Sequence, residues 1–247
     1  ELGRSKFIEK IWDWKEESGD KIINQMKRLG TSVDWNVSRF TMDEGLSYSV
    51  KEVFIDLYNR GLIYKDKRLV NWDPKLGTAL SDLEVNQIEK VGKMWFIKYQ
   101  LENSEENIVI GTTRPETIFG DSGIAIHPKN KKLNHLIGKK ALIPILNKRI
   151  PIFADEYADP EKGSGAVKIT PAHDFNDFEI GKKHDLEFVN ILDKTASLNK
   201  NTPKEYQGLN RFVARKKLIS ELKKNNKILK IVNNKMFLPV GDRSNEI

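Results

Sequence analysis

The sequence predicts an α+β protein, a compact, barrel-like β domain with surrounding helices, preceded by a helical N-terminal segment. Three observations carry this. Apolar residues recur at helical spacing up to about residue 69. After Asp73-Pro74 the pattern changes to short segments rich in β-formers, broken by Pro, Gly, Asn and Asp. Two further helical stretches follow near 174–184 and 210–224.

In the first segment, Ile22, Ile23, Met26 and Leu29 share one helix face. Thr41 with Glu44 has the spacing of a capping box, in which the hydroxyl caps a free N–H and the carboxylate reaches back. Leu46, Val50, Val53, Phe54 and Leu57 then form an apolar stripe expected to be core, and Gly61 stands where a glycine should end that helix. Strands are expected at Lys93 to Leu101, Ile108 to Ile110, Ile124 to His127, Ala141 to Ile145, Arg149 to Ala154 and Ala166 to Thr170. One helix should begin near Asp174 and run to about His184. Another should span Asn210 to Lys224, with Ala214, Leu218, Ile219 and Leu222 inward. The Lys- and Asn-rich stretches at 194–204 and 223–235 are expected as surface loops or solvated ends. There is no internal repeat.

A chain of 247 residues with 38% apolar and 31% charged residues is long enough, and mixed enough, to bury a proper core. No apolar run reaches membrane-spanning length and no signal-like segment opens the chain, so a cytoplasmic location without membrane contact is expected. The absence of cysteine excludes disulfides, thiolate zinc sites and cysteine nucleophiles, and four scattered histidines argue against a metal site. A net charge of +7, with a pI near 9.3, suits a polyanionic partner and equally a solvated lysine-rich surface.

Two strings carry the chemistry. Gly111-Thr112-Thr113-Arg114-Pro115-Glu116-Thr117 packs three hydroxyls, a guanidinium and a carboxylate around a proline. Gly163-Ser-Gly-Ala-Val-Lys168-Ile-Thr170-Pro171-Ala172-His173-Asp174-Phe-Asn-Asp177 is a Gly-rich turn, an apolar strand holding Lys168 and Thr170, and a Pro-led turn into a helix. Together they offer what a small amino acid joined to a nucleotide needs: carboxylates for an ammonium, hydroxyls to test a side chain, cations for phosphate or an ester. Gly163-Ser-Gly165 lacks the third glycine of a dinucleotide fingerprint and is expected as a tight turn that brings backbone close to the ligand.

Both strings resemble the editing domain of the class I aminoacyl-tRNA synthetases for branched aliphatic amino acids, the valyl branch above all. Val70-Asn-Trp-Asp-Pro74, Thr78-Ala-Leu-Ser-Asp-Leu-Glu-Val85, Arg28-Leu-Gly-Thr-Ser-Val-Asp-Trp35, Phe40-Thr-Met-Asp-Glu-Gly-Leu46 and Gly241-Asp-Arg-Ser244 extend the resemblance over nearly the whole chain. It implies a helical junction with a catalytic domain at 1–72, the editing domain at 73–236 and a return segment at 237–247. The chain is expected to be a monomeric piece of a longer enzyme. The His-Ile-Gly-His and Lys-Met-Ser-Lys-Ser type motifs of amino-acid activation are not in this sequence, so no cofactor is expected here and ATP belongs to the parent enzyme.

The activity implied is hydrolysis of the ester of misacylated threonyl-tRNA for valine, the partner being the tRNA 3′ end carrying the wrong amino acid. The resemblance puts Asp177, Lys168 and Thr113 in the catalytic set. It puts Arg114, Thr112, Thr117, Thr170, Asp174, His173 and Glu116 in the binding set. Asp177 would bind the α-ammonium, and Thr170 with Asp174 would read the threonine hydroxyl. Each also has a plainer reading: Asp177 as an acidic residue of a helix's first turn, Asp174 as an N-cap, Thr170 as a strand former, Lys168 as the wet face of a strand. His173 suits an orienting role better than a general base, and Glu116 stays open between base, helix start and ion pair. The rival readings are an isoleucyl or leucyl editing domain and a non-catalytic tRNA-binding module.

Overall fold

The structure, a computed structural model, describes residues 2–247 and comprises two compact units, one ending at Asp66 and one spanning Lys67–Ile247. The first unit holds helices α1 (Gly3–Arg28) and α2 (Glu44–Asn59). The cap of α2 is Asp43, not the expected Thr41–Glu44 box. A turn in which Asp43 N–H donates to Phe40 O brings Asp43 to the cap position. Its carboxylate then accepts from Leu46 N–H at 2.8 Å while the Arg39 fork grips it from outside. At the far end Gly61 takes φ +72°, and the N–H groups of Gly61 and Leu62 close on Tyr58 O and Leu57 O, as the sequence predicts. The expected core stripe of α2 is not buried: Val50, Val53 and Phe54 are each more than half exposed. Two helices alone do not supply a second apolar layer, so an amphipathic pattern here marks a face without marking a core.

The second unit bears out the α+β expectation. A small hairpin, β1 (Asn71–Asp73) with β2 (Thr78–Leu80), leads into β3 (Val85–Leu101). The main sheet adds β4 (Asn107–Thr112), β5 (Gly123–Ile126), β6 (Lys140–Leu142), β7 (Arg149–Ala154), β8 (Ala166–Ile169) and β9 (Ile228–Gly241). Its order is β4-β3-β6-β7-β5-β8, antiparallel except for β5 with β7, and it curls so that β8 returns towards β4. Alternation aims Ile97, Tyr99, Leu101, Ile108, Ile110, Ile150 and Ile152 into one core. All four residues of β5 are buried, because Ala125 lies under a second cluster roofed by Ile180 and Leu186.

β9 corrects the expected loop at 223–235. It pairs with β3 from Val85↔Gly241 to Ile97↔Ile228, forming a long two-stranded arm. Its polar, lysine- and asparagine-rich side chains stay largely solvated, so no hydrophobic alternation advertises it; cross-strand pairing defines it instead. The 194–204 loop also buries Ala196, Leu198 and Thr202.

Two helices support the sheet. α3 (Phe175–Lys183) and α4 (Arg211–Lys224) fall within a residue or two of the expected bounds, with Asp174 and Asn210 as N-caps. The C-terminal end of α3 is tied down by Asp155, whose Oδ2 lies 2.8 Å from Lys183 Nζ and 2.6 Å from His184 Nε2. Burial raises the Asp155 carboxyl, but hydrogen bonds from Lys183, Tyr157 N–H and His184 outweigh it and hold the group at about 2. α4 lays Ala214, Leu218 and Leu222 against the turn Pro115–Gly120. Leu218→Ala should therefore cost about 2–5 kcal/mol in urea unfolding, the range for emptying a packed leucine site. Val213→Ala, at a half-exposed position of the same helix, should change stability by no more than about 0.5 kcal/mol.

Candidate active site

The two strings meet because β5 pairs with β8. The register Gly123↔Ile169, with Ser122 N–H donating to Ile169 O at 2.9 Å, lays the turn Pro115–Gly120 beside the end of β8. On β8, Val167 and Ile169 face the cluster under α3, while Ala166 faces the main core. Lys168 and Thr170 therefore turn inwards with Ala166, and Lys168 carries a charge into a place where strand alternation demands an apolar residue.

That charge is met by Asp121, which is fully buried. Lys168 Nζ lies 2.9 Å from Asp121 Oδ1 and 3.0 Å from Thr117 Oγ1, and also donates to Thr170 Oγ1. Thr170 Oγ1 donates to Asp121 Oδ1 at 2.7 Å, and Tyr99 OH, from β3, donates to Asp121 Oδ2 at 2.7 Å. Burial pushes the Asp121 carboxyl up against the pull of Lys168 and the hydroxyls of Thr170 and Tyr99.

Asp177, in the first turn of α3, is 6% exposed, and its Oδ2 accepts from Thr170 N–H at 2.8 Å. Burial raises it to about 6; Lys168 and the Thr170 N–H oppose the shift, and Asp174 and Asp121 add to it. Asp174 is exposed and caps α3, accepting from Asn176 and Asp177 N–H at 2.9 and 3.1 Å. Tyr157 faces the same carboxylates, and its hydroxyl is pushed up to about 12 by burial and then by Asp177 and Asp174.

Arg114 joins the strings directly: its guanidinium donates to His173 O at 2.7 Å while its side chain stays 44% exposed. His173 Nε2 accepts from Ile191 N–H at 3.0 Å, which fixes the ring in the Nδ1–H tautomer. Burial, then the Arg114 and Lys168 cations, drives its pKa down to about 3, so the ring is neutral and occupied. Thr117 Oγ1 donates to Arg114 O at 2.8 Å, Thr112 Oγ1 accepts from Arg114 N–H at 3.1 Å, and Thr113 is partly buried between them. Glu116 turns away, held by the Arg215 fork of α4 at 2.6 Å on both oxygens.

The site thus gathers Lys168, Thr170, Thr117, Asp177, Arg114 and His173. Glu116 and Thr112 serve the local framework, and Asp174 caps α3 at the rim. Among the described residues no group of three or more His, Asp or Glu side chains is placed to hold a metal. A cavity of about 370 Å³ lined by Phe119, Leu146, Lys148, Glu187, Phe188, Val189 and Asn201 shares none of these residues. The tight turn at Gly165, φ +77°, lies against Asn130, which donates to Gly165 O, rather than at the site as expected. Sequence reasoning missed Asp121, Tyr99, Tyr157 and Arg215. A lysine inside an apolar strand signals that a counter-charge exists, but spacing does not say where.

These features define a class. A family model described as tRNA synthetases class I (I, L, M and V) matches residues 1–236, and the chain belongs to that family. Within it, the chain is 56% identical over all 247 residues to a valine–tRNA ligase of Pelagibacter ubique (strain HTCC1062), covering 28% of that protein. It is 54% identical over the same span to a valine–tRNA ligase of Legionella pneumophila (strain Paris), covering 27%. The chain spans just over a quarter of the length of these relatives. The ternary complex of Agrobacterium radiobacter K84 agnB2 LeuRS with tRNA and LeuAMS overlaps 91% of this chain and 36% of its own, at a TM-score of 0.44 and 20% identity. No helix among the described residues is long and apolar enough to cross a membrane.

Two outcomes follow from the geometry. The Asp177 carboxyl should titrate near pH 6 by carbon-13 NMR. Its folded pKa lies above the unfolded value, so its contribution to stability is full below about pH 4 and is lost as pH rises through about 6. Asp177→Asn should flatten that segment of the stability–pH curve. Glu116→Gln should cost about 3 kcal/mol in urea unfolding, the low end for breaking a buried pair, because Arg215 keeps some solvent access.

Proposed function

We propose that this chain hydrolyses the ester of threonyl-tRNA for valine, releasing threonine and a tRNA with a free terminal ribose hydroxyl. The observation that carries this is Asp177: a buried carboxylate held at about 6 beside Lys168 and Thr170, next to the exposed Arg114 fork. The identity to valine–tRNA ligases supports the choice of amino acid. A hydrophobic valine pocket rejects an isostere that adds a hydroxyl only weakly, as is known for valine-activating enzymes, so a second, hydrolytic selection is needed.

In this reading the substrate's α-ammonium meets Asp177 and favours its charged form. Arg114, just ahead of Pro115, takes ribose or phosphate oxygens of the terminal adenosine with the exposed part of its guanidinium. Lys168, Thr117 and Thr170 face the amino-acid end, and Asp174 and Thr113 flank it. A water held between these groups attacks the ester carbonyl carbon; the ester C–O bond breaks and the ribose oxygen takes a proton. Neutral, occupied His173 positions the loop at Ile191, and positioning of the water supplies the rate. No cofactor enters this reaction.

Deacylation of threonyl-tRNA and valyl-tRNA by the chain tests the proposal. Threonyl ester should be cleaved and valyl ester mostly spared. Asp177→Ala should lower threonyl turnover by at least about 100-fold, the scale of losing a positioned charge contact at a reacting centre, with an unchanged circular dichroism spectrum. Wild-type turnover by the folded variant would remove Asp177 from the mechanism. Salt-dependent tRNA binding with no deacylation by the wild type would leave the tRNA-binding module as the function. kcat/KM should also rise between pH 5 and 7 with a midpoint near 6, as Asp177 of the free chain gains the charge that binds ammonium.

A further inference from the structure

Asp121 was absent from the residues singled out in the sequence, yet more of the site's hydrogen bonds end on it than on any other side chain described above. The protons around it can be counted. An ammonium has three N–H donors, and Lys168 has three acceptors: Asp121 Oδ1, Thr117 Oγ1 and Thr170 Oγ1. A hydroxyl has one proton and two lone pairs. Thr170 spends its proton on Asp121 Oδ1 and Thr117 spends its proton on Arg114 O. Each hydroxyl spends one lone pair on Lys168. What remains on each is a single lone pair and no proton.

We propose that Asp121 is the positioning residue behind the site's selectivity: by holding Lys168 and taking the Thr170 proton, it makes Thr170 and Thr117 present acceptors only to a bound ester. This rests on the editing activity proposed above and extends it to how the amino acid is chosen. A side-chain hydroxyl on the ester donates into a waiting lone pair. A methyl at the same place leaves that lone pair dry and unpaired, the kind of mismatch that discriminates strongly in a polar site. Asp121 touches no substrate in this scheme; it acts through Lys168 and Thr170.

Charge, not shape, does the holding. The lysine stem is flexible, and its ammonium stays in the core only because a full carboxylate faces it. Asparagine at 121 keeps the shape and removes the charge, so the ammonium leaves for solvent and both threonine hydroxyls are free to rotate. Tyr99 fixes the other carboxylate oxygen and keeps Oδ1 aimed at Lys168.

The test compares two esters of the same tRNA, threonyl and 2-aminobutyryl, the second lacking the hydroxyl. Wild type should favour threonyl in kcat/KM. In Asp121→Asn the ratio of the two should fall by at least about tenfold, the threonyl ester losing more than the 2-aminobutyryl ester, which slows only by what the displaced Lys168 gave to both. Asp121→Asn/Lys168→Gln leaves no unpaired buried charge and keeps the measurement available if the single variant does not fold. Its selectivity should fall as far as that of Asp121→Asn, since without the carboxylate Lys168 no longer holds either hydroxyl. Equal slowing of both esters, an unchanged ratio in a folded variant, or multiplied effects in the double variant would overturn the role given to Asp121. If wild type cleaves neither ester, the editing activity itself falls and this inference with it. If wild type discriminates and the variants do too, only the inference falls.

Discussion

The ion pair of Lys168 with Asp121 is the constraint on which the rest of the site depends. A charge on the inner face of a core strand is tolerable only when its partner is close and fully hydrogen-bonded, because desolvation of both ions must be offset by their mutual attraction and by further donors. Here the partners come from separate parts of the chain: Tyr99 donates from β3, Thr170 donates from the end of β8, and Thr117, in the turn after β4, accepts from Lys168. Satisfying one buried carboxylate therefore fixes the relative positions of three elements. The same requirement explains why the turn is short and buried: any slack would move Thr117 and Asp121 away from the ammonium.

The charge balance has a second consequence. Asp121, Asp177 and Asp174 lie near one another, and Lys168 is already committed to Asp121. Asp177 is left with a backbone N–H as its donor and with like charges nearby, which is why burial raises it so far. The site is one positive charge short. In the proposed reaction the substrate's ammonium supplies it, so binding and ionisation of Asp177 reinforce each other. His173, driven neutral by burial and by the Arg114 and Lys168 cations, adds no competing charge.

Much of this was legible in the sequence. The elements whose one face is buried were recognisable because alternation and helical spacing record burial: β7 and α3 fall within about a residue of the expected bounds. The β3–β9 arm was half-seen, since β3 is apolar only where it enters the core, and the solvated part of β9 carries no such record. The α2 stripe shows the converse, an apolar face without a covering layer in this chain. At the site, the two strings meet in space, and Lys168, Thr170, Thr117 and Asp177 come together. Asp121 stayed hidden because a lone Asp after a turn looks like any cap or surface acid; its meaning lies in what Lys168 and Tyr99 do forty-odd and twenty-odd residues away. Glu116 was open among three roles for the same reason; in the structure it pairs with Arg215 on α4 and also stands in the first turn of Pro115–Gly120.

The framework also separates what is rigid from what is free to meet a ligand. The turn Pro115–Gly120 is clamped from two sides, by Arg215 on Glu116 and by Lys168 on Thr117. Just ahead of those clamps Arg114 stays 44% exposed, with one guanidinium nitrogen on His173 O at 2.7 Å and its Nε 3.9 Å from Glu116 Oε1. In the proposed reaction the inner residues meet the amino acid and Arg114 the nucleotide, and one hydrogen bond from Arg114 to the carbonyl of His173 links the two. α4, which makes no part of the inner set, still contributes to the site because its Arg215 decides where Glu116, and so the whole turn, sits.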